Sequence, residues 1–481
     1  MATSLKILFL SAEVDPFAKT GGLGDVGGSL PKALRQLGHD VRVVMPAYRK
    51  IEQGYEGVTA LPLQLNVPTG AGLIPAGVFE GRLPDSDVPI YFIAQHHLFD
   101  RPQVYGYGDD PYRFAFYSRA ALDLMVAALA WRPDVVHAHD WHTAPAITWL
   151  ATAGQVDPRY ANMPTLFTIH NLAHQGRTGW QIFDYLGLQT HGLREEGYGE
   201  VNFMARGIYH ATLVNTVSPT YAQEITTPMG GAGLDGLLRY RGRDLSGILN
   251  GLDYGVWDPA GDPRLVARYD AERLQERKSN RHALQAYLGL PQKDYVPLVA
   301  MVSRLDYQKG LDITGHVLHL LMNGFAGDAQ FVVLGTGAPE YEQMLAQLAG
   351  YHRDKMTAVL AYNANLAPLI YAGSDIFIMP SLFEPCGLGQ LIAMRYGSVP
   401  LVKATGGLAD TVLEGETGFT FRHHTAGDFW QAMQRATYVY NTDRAGWRQI
   451  QLNGMAADYS WAKSAEGYEA LYRQAIARHQ S

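Results

Sequence analysis

Short apolar runs alternate with helix-like segments in both halves of the chain, and this alternation constrains the fold more than any other feature. In the first half the runs are KILFLS, VRVVMP, VPIYFIA, DVVHAH, TLFTIH and TLVNTVS. The second half repeats the pattern with PLVAMVS, QFVVLG, TAVLAY, DIFIMP and VPLVKA. Alternating strands and helices are typical of parallel sheets covered by helices, so the sequence predicts an α/β protein with two Rossmann-like units in tandem.

The length of the chain also supports two domains, because a single hydrophobic core rarely organises 481 residues. Glycine, proline and aspartate cluster without apolar periodicity in residues 248–263, which is typical of a connection between domains. We therefore expect one domain at residues 1–250 and a second at 251–460. By its sequence alone, the helix-like segment at 461–481 could pack on either domain.

Composition and charge exclude several classes of function. Hydrophobic residues make up 47% of the chain and charged residues 18%, which is ordinary for a globular α/β protein. The formal net charge of -7 argues against a general nucleic-acid binder, because such proteins carry a basic stripe. No apolar run is long enough to cross a membrane. The single cysteine, Cys386, excludes an intramolecular disulfide and favours a reducing, cytoplasmic location.

Residues 375–412 contain an apolar strand, a turn with the acid Glu384, a helix and a second strand. In a parallel sheet the acid, Glu384, lies at the carboxyl end of its strand, where α/β proteins bind ligands. Two predicted helix starts follow neighbouring strands here, one with Glu384, Pro385, Cys386 and Gly387, the other with Thr405, Gly406 and Gly407. Adjacent helix N-termini offer backbone amides, which predicts an anionic ligand.

Two cations are predicted at the same edge of the second sheet. The segment SRLDYQKG follows the strand PLVAMVS and contains Arg304 and Lys309, whose side chains suit the oxygens of a diphosphate. Ordinary surface salt bridges are the alternative for both. Tyr362 ends the predicted strand TAVLAY and could stack on a nucleobase, although a core tyrosine would fit the same pattern.

The glycine-rich segment KTGGLGDVG, residues 19–27, matches the dinucleotide pattern at Gly22, Gly24 and Gly27. That fingerprint needs a tight turn directly after the strand, whereas the loop AEVDPFAKT separates KILFLS from these glycines. We therefore favour a loop whose Lys19 contacts a diphosphate or a sugar over a nicotinamide site. A loop with helix-capping glycines and no ligand fits the local pattern equally well.

Histidine and aspartate are dense in one further segment. HAHDWH contains His137, His139, Asp140, Trp141 and His142, and His170 ends the next predicted strand. The first two histidines alternate on a strand, and the aspartate and third histidine are expected in the loop after it. This spacing lacks the helical pattern of a zinc site, so a metal is not expected. Polar groups beside a tryptophan are more typical of a sugar site, although a structural role remains open for each histidine.

These motifs, and the order in which they follow one another, resemble those of bacterial glycogen synthases and plant starch synthases over essentially the whole length of the chain. The matching segments are KTGGLGDV, HAHDWH, TIHNLAHQG, NGLD, SRLDYQKG, PSLFEPCGLGQL, ATGGLADTV and YSWAKSAEGYEALYR. The resemblance implies the GT-B architecture, with two facing Rossmann-like domains and a deep interdomain cleft. It also implies that the C-terminal helix at 461–481 joins the domain at 1–250, and that the domain at 251–460 binds a nucleotide sugar.

The resemblance further implies a retaining glucosyltransferase that moves glucose from ADP-glucose to the non-reducing end of an α-1,4-glucan and releases ADP. It implies no cofactor and no metal, and neither nucleic acid nor membrane as a partner. The residues implied to act in catalysis are Glu384, Arg304, Lys309 and His170. Those implied to bind substrate are Glu13, Lys19, Gly21, Gly22, Gly24, Asp25, Asp140, Trp141, Asn171, Asn250, Tyr362, Cys386, Gly387, Thr405, Gly406, Gly407 and Leu408.

Individual roles also come from the resemblance. Arg304 and Lys309 hold the diphosphate, and Tyr362 stacks on adenine. Glu384 lies near the positive charge that develops on the glucose, and His170 contacts that glucose. Lys19 and the loop from Gly21 to Gly24 close over the phosphates from the other domain. Gly406, Gly407 and Leu408 contribute amides and packing. Asp140 and Asn250 line the cleft. Because Arg304 and Lys309 are expected in a solvent-accessible cleft, replacing either should lower turnover more than stability.

Several alternatives stay open from the residues alone. One carboxylate permits either a double displacement or a same-face attack assisted by the leaving phosphate, and the residue chemistry does not exclude UDP-glucose. A nicotinamide oxidoreductase and a non-catalytic glucan-binding protein are the rival functions. The residue eight positions beyond Glu384 is Ile392 rather than a second glutamate, which argues against a sucrose- or trehalose-type relative.

Overall fold

The computed structural model describes residues 3–188 and 199–480, which form two compact units. The first unit comprises Met1–Gly251 with Trp461–Ser481, and the second comprises Leu252–Ser460. The chain therefore passes between units at residues 251 and 252, inside the segment that is rich in glycine, proline and aspartate. Within the described residues, no helix combines the length and apolar character needed to span a membrane.

The first unit is built on a nine-stranded sheet with the order β11-β10-β7-β6-β1-β2-β5-β4-β3. Its strands are β1 Lys6–Leu10, β2 Asp40–Pro46, β3 Thr59–Thr69, β4 Gly72–Arg82, β5 Pro89–Ala94, β6 Val135–His139, β7 Thr165–Ile169, β10 Leu213–Thr216 and β11 Leu245–Gly247. The short strands β8 Arg177–Thr178 and β9 Val201–Asn202 form a separate antiparallel pair. Strands β6 and β7 are buried at every position, as expected for parallel strands covered on both faces.

Helices cover both faces of this sheet. They are α1 Gly22–Gln36, α2 Arg49–Glu52, α3 His96–Phe99, α4 Asp110–Leu122, α5 Asp140–Ala151, α6 Gln181–Tyr185, α7 Phe203–His210, α8 Pro219–Glu224 and α9 Asp235–Tyr240. The amphipathic pattern of α1 buries Leu23, Val26, Leu30 and Leu34, while Arg35 in its last turn is exposed and bonds Asp87.

The second unit has a six-stranded parallel sheet with the order β14-β13-β12-β15-β16-β17. Its strands are β12 Leu298–Val302, β13 Gln330–Leu334, β14 Met356–Val359, β15 Ile376–Met379, β16 Val399–Lys403 and β17 Phe419–Phe421. Its helices are α10 Arg277–Tyr287, α11 Leu311–Met322, α12 Pro339–Tyr351, α13 Leu366–Gly373, α14 Gly389–Arg395, α15 Gly406–Thr411, α16 Ala426–Thr442 and α17 Arg444–Ala456.

Both sheets have the strand order of a Rossmann fold, which confirms the predicted pair of units. Counting parallel strands along the chain, the order is 3-2-1-4-5-6-7 in the first sheet and 3-2-1-4-5-6 in the second. Strand β1 is paired to both β2 and β6, and β12 is paired to both β13 and β15. The direction of winding reverses between β1 and β6 and between β12 and β15. Ligands bind to such sheets at the carboxyl ends of the two strands that flank this switch point.

The terminal helix α18, Trp461–Gln480, packs on the first unit. Ala465, Tyr468 and Tyr472 are buried in the hydrophobic core that also contains strands β6 and β7. Gly251 permits the crossing, because a Cβ there would lie 2.5 Å from Cα of Trp461. The hydroxyl of Ser464 donates to the carbonyl of Leu249 at 2.7 Å and fixes the start of the helix.

Candidate active site

The loops after β12 and β15 are bound to each other at the switch point of the second unit. The amide of Leu382 donates to the carbonyl of Gln308 at 2.8 Å, and Nε2 of Gln308 donates to the carbonyl of Phe383 at 3.3 Å. Gly310 has a φ of +77°, and a Cβ at this position would lie 2.1 Å from the carbonyl oxygen of Pro380. Only glycine allows this approach, so the sequence QKG holds the two loops side by side.

This arrangement brings together Lys309 and Glu384, the cation and the acid predicted from the sequence. Nζ of Lys309 lies 2.6 Å from Oε2 of Glu384, and Oγ of Ser381 donates to the same oxygen at 3.0 Å. The two charged side chains are only 16% and 9% exposed. The expectation that Lys309 is solvent accessible is therefore wrong, because the ion pair forms as the two loops pack together.

Arg304 fits the expectation of accessibility. Its side chain is 67% exposed, and its guanidinium lies 3.2 Å from Oδ2 of Asp306 and 3.4 Å from Oε1 of Gln308. Both contacts are long and exposed, so they hold the guanidinium weakly. Arg304 is thus an exposed cation that follows β12, in the same loop as the buried Lys309.

The glycine pair Gly406 and Gly407 at the start of α15 contacts the backbone of Glu384. The amide of Gly407 donates to the carbonyls of Glu384 and Pro385 at 3.2 and 3.1 Å, and the amide of Leu408 donates to Thr405 at 3.1 Å. The expectation that Gly407 and Leu408 offer free amides to a ligand is therefore wrong. Gly406 has a φ of +45°, and a Cβ there would lie 2.0 Å from the carbonyl oxygen of Glu384.

The remaining predicted residues of the second unit differ in accessibility. Strand β14 ends at Val359, so Tyr362 lies in the loop beyond it, where its side chain is 88% exposed. The prediction that Tyr362 ends the strand is wrong, but its exposure suits contact with a ligand. Cys386 is buried, and Nε2 of Gln390 donates to the carbonyls of Cys386 and Gly387. These two residues thus shape the turn between Glu384 and α14.

In the first unit, Glu13 organises the loop after β1. Its Oε2 accepts hydrogen bonds from the amides of Thr20 and Gly21, and its Oε1 accepts one from the hydroxyl of Tyr105 at 2.8 Å. The Glu13 side chain is buried, so its carboxylate acts within the protein. Tyr105 stands alone in the sequence, without a motif that would have predicted this role.

Lys19 forms ion pairs within the same loop region. Its Nζ lies 2.5 Å from Oδ1 of Asp25 and 3.6 Å from Oδ2 of Asp15. Burial opposes the charge on Lys19, but the two carboxylates outweigh it and raise the pKa of the amine. Burial also raises the pKa of Asp25, although Lys19 opposes that shift. Because the Lys19 side chain is still 43% exposed, it can exchange these partners for another anion.

The glycines of the apparent dinucleotide fingerprint lie in α1, which begins at Gly22. The predicted glycine loop from Gly21 to Gly24 is therefore wrong, because most of it is the first turn of a helix. A Cβ on Gly27 would lie 2.5 Å from the carbonyl oxygen of Glu13, and one on Gly28 would lie 2.7 Å from that of Asp15. Glycine is needed here so that the helix can pack against the loop backbone.

Asp140 and His170 follow the neighbouring strands β6 and β7. Asp140 is the first residue of α5, with a φ of +56°, so the expectation that it and His142 lie in a loop is wrong. Its Oδ1 accepts from the amide of His170 at 2.8 Å and lies 3.5 Å from the amide of Asn171. Burial raises the pKa of Asp140 to about 7, although both amides oppose the shift. Asp140 thereby ties the two strand ends together.

Trp141 is more enclosed than a sugar platform requires. Its side chain is buried, its ring meets that of Phe114 edge to face at 5.4 Å, and a Cβ on Gly176 would lie 2.1 Å from it. Trp141 nevertheless borders a cavity of about 520 Å³, whose other lining residues are Ala173, His174, Gln175, Gly176, Arg177 and Ala232. Any contact of Trp141 with a sugar is therefore limited to the small part of this residue that lines the cavity.

The histidines of HAHDWH are packed side chains. Both ring nitrogens of His137 are engaged, Nδ1 with the hydroxyl of Tyr472 and Nε2 with Oγ1 of Thr168, each at 2.8 Å. His142 stacks on Tyr105 with ring centroids 4.6 Å apart. Burial lowers the pKa of His137, His139 and His142 well below the usual range.

A different cluster has the spacing of metal ligands in the described part of the chain. Oxygens of Glu52 and Asp100 lie 3.0 and 3.4 Å from Nδ1 of His96. Arg49 also contacts Asp100, at 2.5 Å, and places a positive charge where a metal would add another. These residues are not among the predicted site residues, and their own ion pairs account for the grouping.

Comparison with known proteins places the chain in a family. A family model described as "Starch synthase catalytic domain" matches residues 6–240, and one described as "Glycosyl transferases group 1" matches residues 296–437. A glycogen synthase of Moorella thermoacetica is 45% identical over 100% of this chain and 99% of its own length. The chain belongs to the glycogen synthase and starch synthase family. A glycogen synthase of Anaeromyxobacter sp. is 44% identical over 98% of this chain and 100% of its own length.

Solved structures agree with this family. The catalytic domain of starch synthase IV from Arabidopsis thaliana, bound to ADP and acarbose, matches with a TM-score of 0.90 and 35% identity, over 99% of this chain and 100% of that one. A sucrose-phosphate synthase from Thermosynechococcus elongatus matches with a TM-score of 0.61 and 18% identity, which shows a common fold. The protein is thus a GT-B hexosyltransferase that acts in glycogen or starch synthesis, and the nicotinamide alternative is wrong.

One further predicted residue, Asn250, lies at the junction of the two units. Asn250 is buried, and its Oδ1 has no hydrogen-bond partner within residues 3–188 and 199–480. An orphaned buried acceptor is uncommon in proteins and is consistent with a group reserved for a ligand. Asn250 directly precedes Gly251, the last residue of the first unit before the chain enters the second.

Proposed function

We propose that this enzyme transfers glucose from ADP-glucose to the non-reducing end of an α-1,4-glucan, with retention at the anomeric carbon and release of ADP. The observation that carries the proposal is the Lys309–Glu384 ion pair beside the exposed Arg304, at the switch point of the second unit. Support also comes from the Arabidopsis starch synthase, whose structure is bound to ADP and acarbose. The single cysteine supports a cytoplasmic location.

The cations act on the leaving group. As the glycosidic bond to the diphosphate breaks, negative charge grows on phosphate oxygens and positive charge on the sugar ring. Arg304 offers a planar fork of donors for those oxygens, and Lys309 offers a fixed point charge. Cations that are positioned before the reaction stabilise this charge separation without reorganisation, which lowers the barrier.

Glu384 acts on the sugar. Its Oε2 already accepts hydrogen bonds from Lys309 and Ser381, which lowers the nucleophilicity of that oxygen. A carboxylate held this way is better suited to stabilising the positive charge of an oxocarbenium-like glucose than to attacking it. This favours same-face attack, assisted by the leaving phosphate, over a double displacement.

The remaining predicted residues bind the substrates under this proposal. Tyr362 stacks on adenine, and its exposure leaves the ring face open. On the first unit Lys19 meets the phosphates, and His170 contacts the glucose hydroxyls. Glu13, Gly21 and Asp25 shape the loop that presents Lys19, while Asp140, Trp141, Asn171 and Asn250 support or contact the sugar.

The test is a nucleotide-release assay with glycogen as acceptor and ADP-glucose or UDP-glucose as donor. We expect ADP-glucose to give the faster release, and Glu384→Gln to lower kcat by about 10² or more. The matched control is Glu416→Gln, because Glu416 is an exposed carboxylate of the same unit. Undiminished transfer by Glu384→Gln would remove Glu384 from the mechanism. Binding of both ligands without any ADP release would instead indicate a non-catalytic binding protein.

A further inference from the structure

Two histidines at neighbouring strand ends contact each other in the first unit. His139 is the last residue of β6, and His170 directly follows β7. Nδ1 of His139 lies 2.9 Å from Nε2 of His170, which is a hydrogen-bond distance between two ring nitrogens. His139 is fully buried and contacts the rings of Phe9 and His137, at centroid distances of 4.2 and 4.0 Å. Its ring therefore has one fixed orientation.

Both rings are neutral at physiological pH. Burial lowers the pKa of His139 well below its usual range, and burial lowers the pKa of His170 to about 3. A neutral imidazole carries one N–H and one lone pair. A hydrogen bond between two neutral imidazoles thus requires one ring to donate and the other to accept, and the choice fixes the tautomer of both.

The surroundings of His139 select one of the two arrangements. Its Nε2 is buried and has no hydrogen-bond partner within the described residues. If His139 accepted at Nδ1, its proton would lie on Nε2 as a buried N–H without an acceptor. If His139 donates from Nδ1, Nε2 carries only a lone pair. Orphaned buried N–H groups are rarer in proteins than under-satisfied acceptors, so donation from His139 is favoured.

We infer that His139 is a positioning residue that donates from Nδ1 to Nε2 of His170 and so fixes the His170 tautomer in which Nδ1 carries the proton. His170 is partly exposed, and no group in residues 3–188 and 199–480 bonds its Nδ1. That nitrogen therefore presents an N–H to a ligand. It can donate to an acceptor oxygen such as a sugar hydroxyl, but it cannot accept from one.

The amide of His170 is held as well, because it donates to Oδ1 of Asp140 at 2.8 Å. The backbone and the ring of His170 are thus fixed by different residues, both from the β6 end. This inference rests on the proposed function where it assigns His170 to the glucose. The tautomer itself does not depend on that function and can be measured without substrate.

The first experiment measures the tautomer directly in the full-length protein. Nitrogen-15 NMR of histidine-labelled enzyme distinguishes protonated from unprotonated Nδ1 and Nε2, and the spectrum of His170→Asn assigns the His170 signals by difference. We expect His170 to carry its proton on Nδ1 near pH 7.5. A proton on Nε2 of His170 would overturn the inference and leave the proposed function standing.

The second experiment removes the donor. His139→Leu introduces an apolar side chain of similar size that cannot donate, whereas His139→Asn retains a donor near the position of Nδ1. We expect His139→Leu to mix the His170 tautomers and lower kcat about tenfold with a smaller change in KM for the donor sugar, and His139→Asn to restore both.

The matched control is His137→Leu. His137 is equally buried on the same strand but bonds Tyr472 and Thr168 rather than His170. It should cost stability without changing the His170 tautomer. If His139→Leu is folded and leaves both the tautomer and kcat unchanged, His139 has no positioning role. If the tautomer changes but kcat does not, His139 sets a tautomer that the reaction does not use, which also overturns the assigned role.

Discussion

The ion pair between Lys309 and Glu384 makes a sharp prediction at the scale of single residues. Lys309→Met leaves the charge of Glu384 buried without a partner, so it should lower the free energy of unfolding by about 3–5 kcal/mol. The double variant Lys309→Met, Glu384→Gln removes the unpaired charge and should recover most of that loss. Thermal unfolding by calorimetry measures both effects, and nucleotide release should be low in each variant.

Arg304→Ala is the matched control for this pair, because Arg304 is exposed and its contacts are weak. We expect a change in stability within about 0.5 kcal/mol, together with a loss of turnover of about 10². Equal destabilisation of the Arg304 and Lys309 variants would contradict the buried ion pair. The sequence placed both cations at one strand end, but it did not reveal that Lys309 is buried, because the contact joins loops 75 residues apart.

Asp140 supports a second residue-scale prediction, on pH. Its pKa is raised from an ordinary value near 3.8 to about 7 in the folded protein. The stabilising effect of the protonated form is therefore complete below pH 3.8 and is lost as the pH rises through about 7. Asp140→Asn keeps an acceptor for the His170 amide and tolerates the positive φ, so it should melt at a higher temperature than the parent at pH 8.

This advantage of Asp140→Asn should shrink as the pH falls to 5, because the parent side chain then becomes neutral too. Melting curves of both proteins from pH 5 to 8 measure it. Asp15→Asn is the matched control, since Asp15 is a half-exposed carboxylate of the same unit. A constant difference in melting temperature across the range would show that Asp140 does not titrate there.

At the scale of structural elements, the glycine pair of α15 determines where Glu384 stands. Gly406→Ala would place a Cβ against the carbonyl oxygen of Glu384 and require a left-handed φ of an alanine. Gly415→Ala has the same backbone strain, at a φ of +73°, but its Cβ meets nothing within 4 Å. The control should therefore cost about 1–2 kcal/mol, whereas Gly406→Ala should cost more and also abolish most nucleotide release. Equal effects of the two substitutions on activity would contradict this role of Gly406.

Element types were predictable wherever periodicity was strong. Every apolar run named from the sequence is a strand, because a continuous buried run has few alternatives in an α/β protein. The hairpin β3–β4 was not predicted because half of its strand residues are exposed and Pro62, Pro68 and Gly70 interrupt the pattern. The helical start at Gly22 was missed for a similar reason: glycine is a poor helix former, and packing against Glu13 and Asp15 selects it.

At the scale of the whole molecule, the two units share a Rossmann strand order but differ in the ionisable side chains that they bury at the ends of their strands. At its switch point the second unit pairs the buried Glu384 with Lys309, and hydrogen bonds between two loops that are distant in sequence bring the pair together. At the corresponding strand ends, the first unit buries neutral histidines. The histidines with a lowered pKa in the described residues are His39, His137, His139, His142, His170, His210 and His479, and all of them belong to the first unit.

This asymmetry predicts acid lability of the first unit. A histidine that stays neutral in the folded protein gains a proton on unfolding below about pH 6.5, so its stabilisation is present above that pH and is lost as the pH falls toward its folded pKa. Each such histidine lowers the free energy of unfolding by up to about 1.4 kcal/mol per pH unit while the pH lies between its unfolded and folded pKa values. Asp25, Asp123, Asp140 and His96, whose pKa values are raised, oppose the trend but are fewer.

Calorimetry from pH 7 to 5 should therefore show one transition that falls steeply and a second that falls less. His210→Gln tests the cause outside the site, because burial lowers the pKa of His210 to about 4 and its Nε2 has no partner among the described residues. The variant should reduce the acid slope of the first transition by about 1.4 kcal/mol per pH unit, down to about pH 4. Since the second unit contributes no histidine to this set, an unchanged slope in His210→Gln, or a steeper fall of the other transition, would place the acid sensitivity elsewhere.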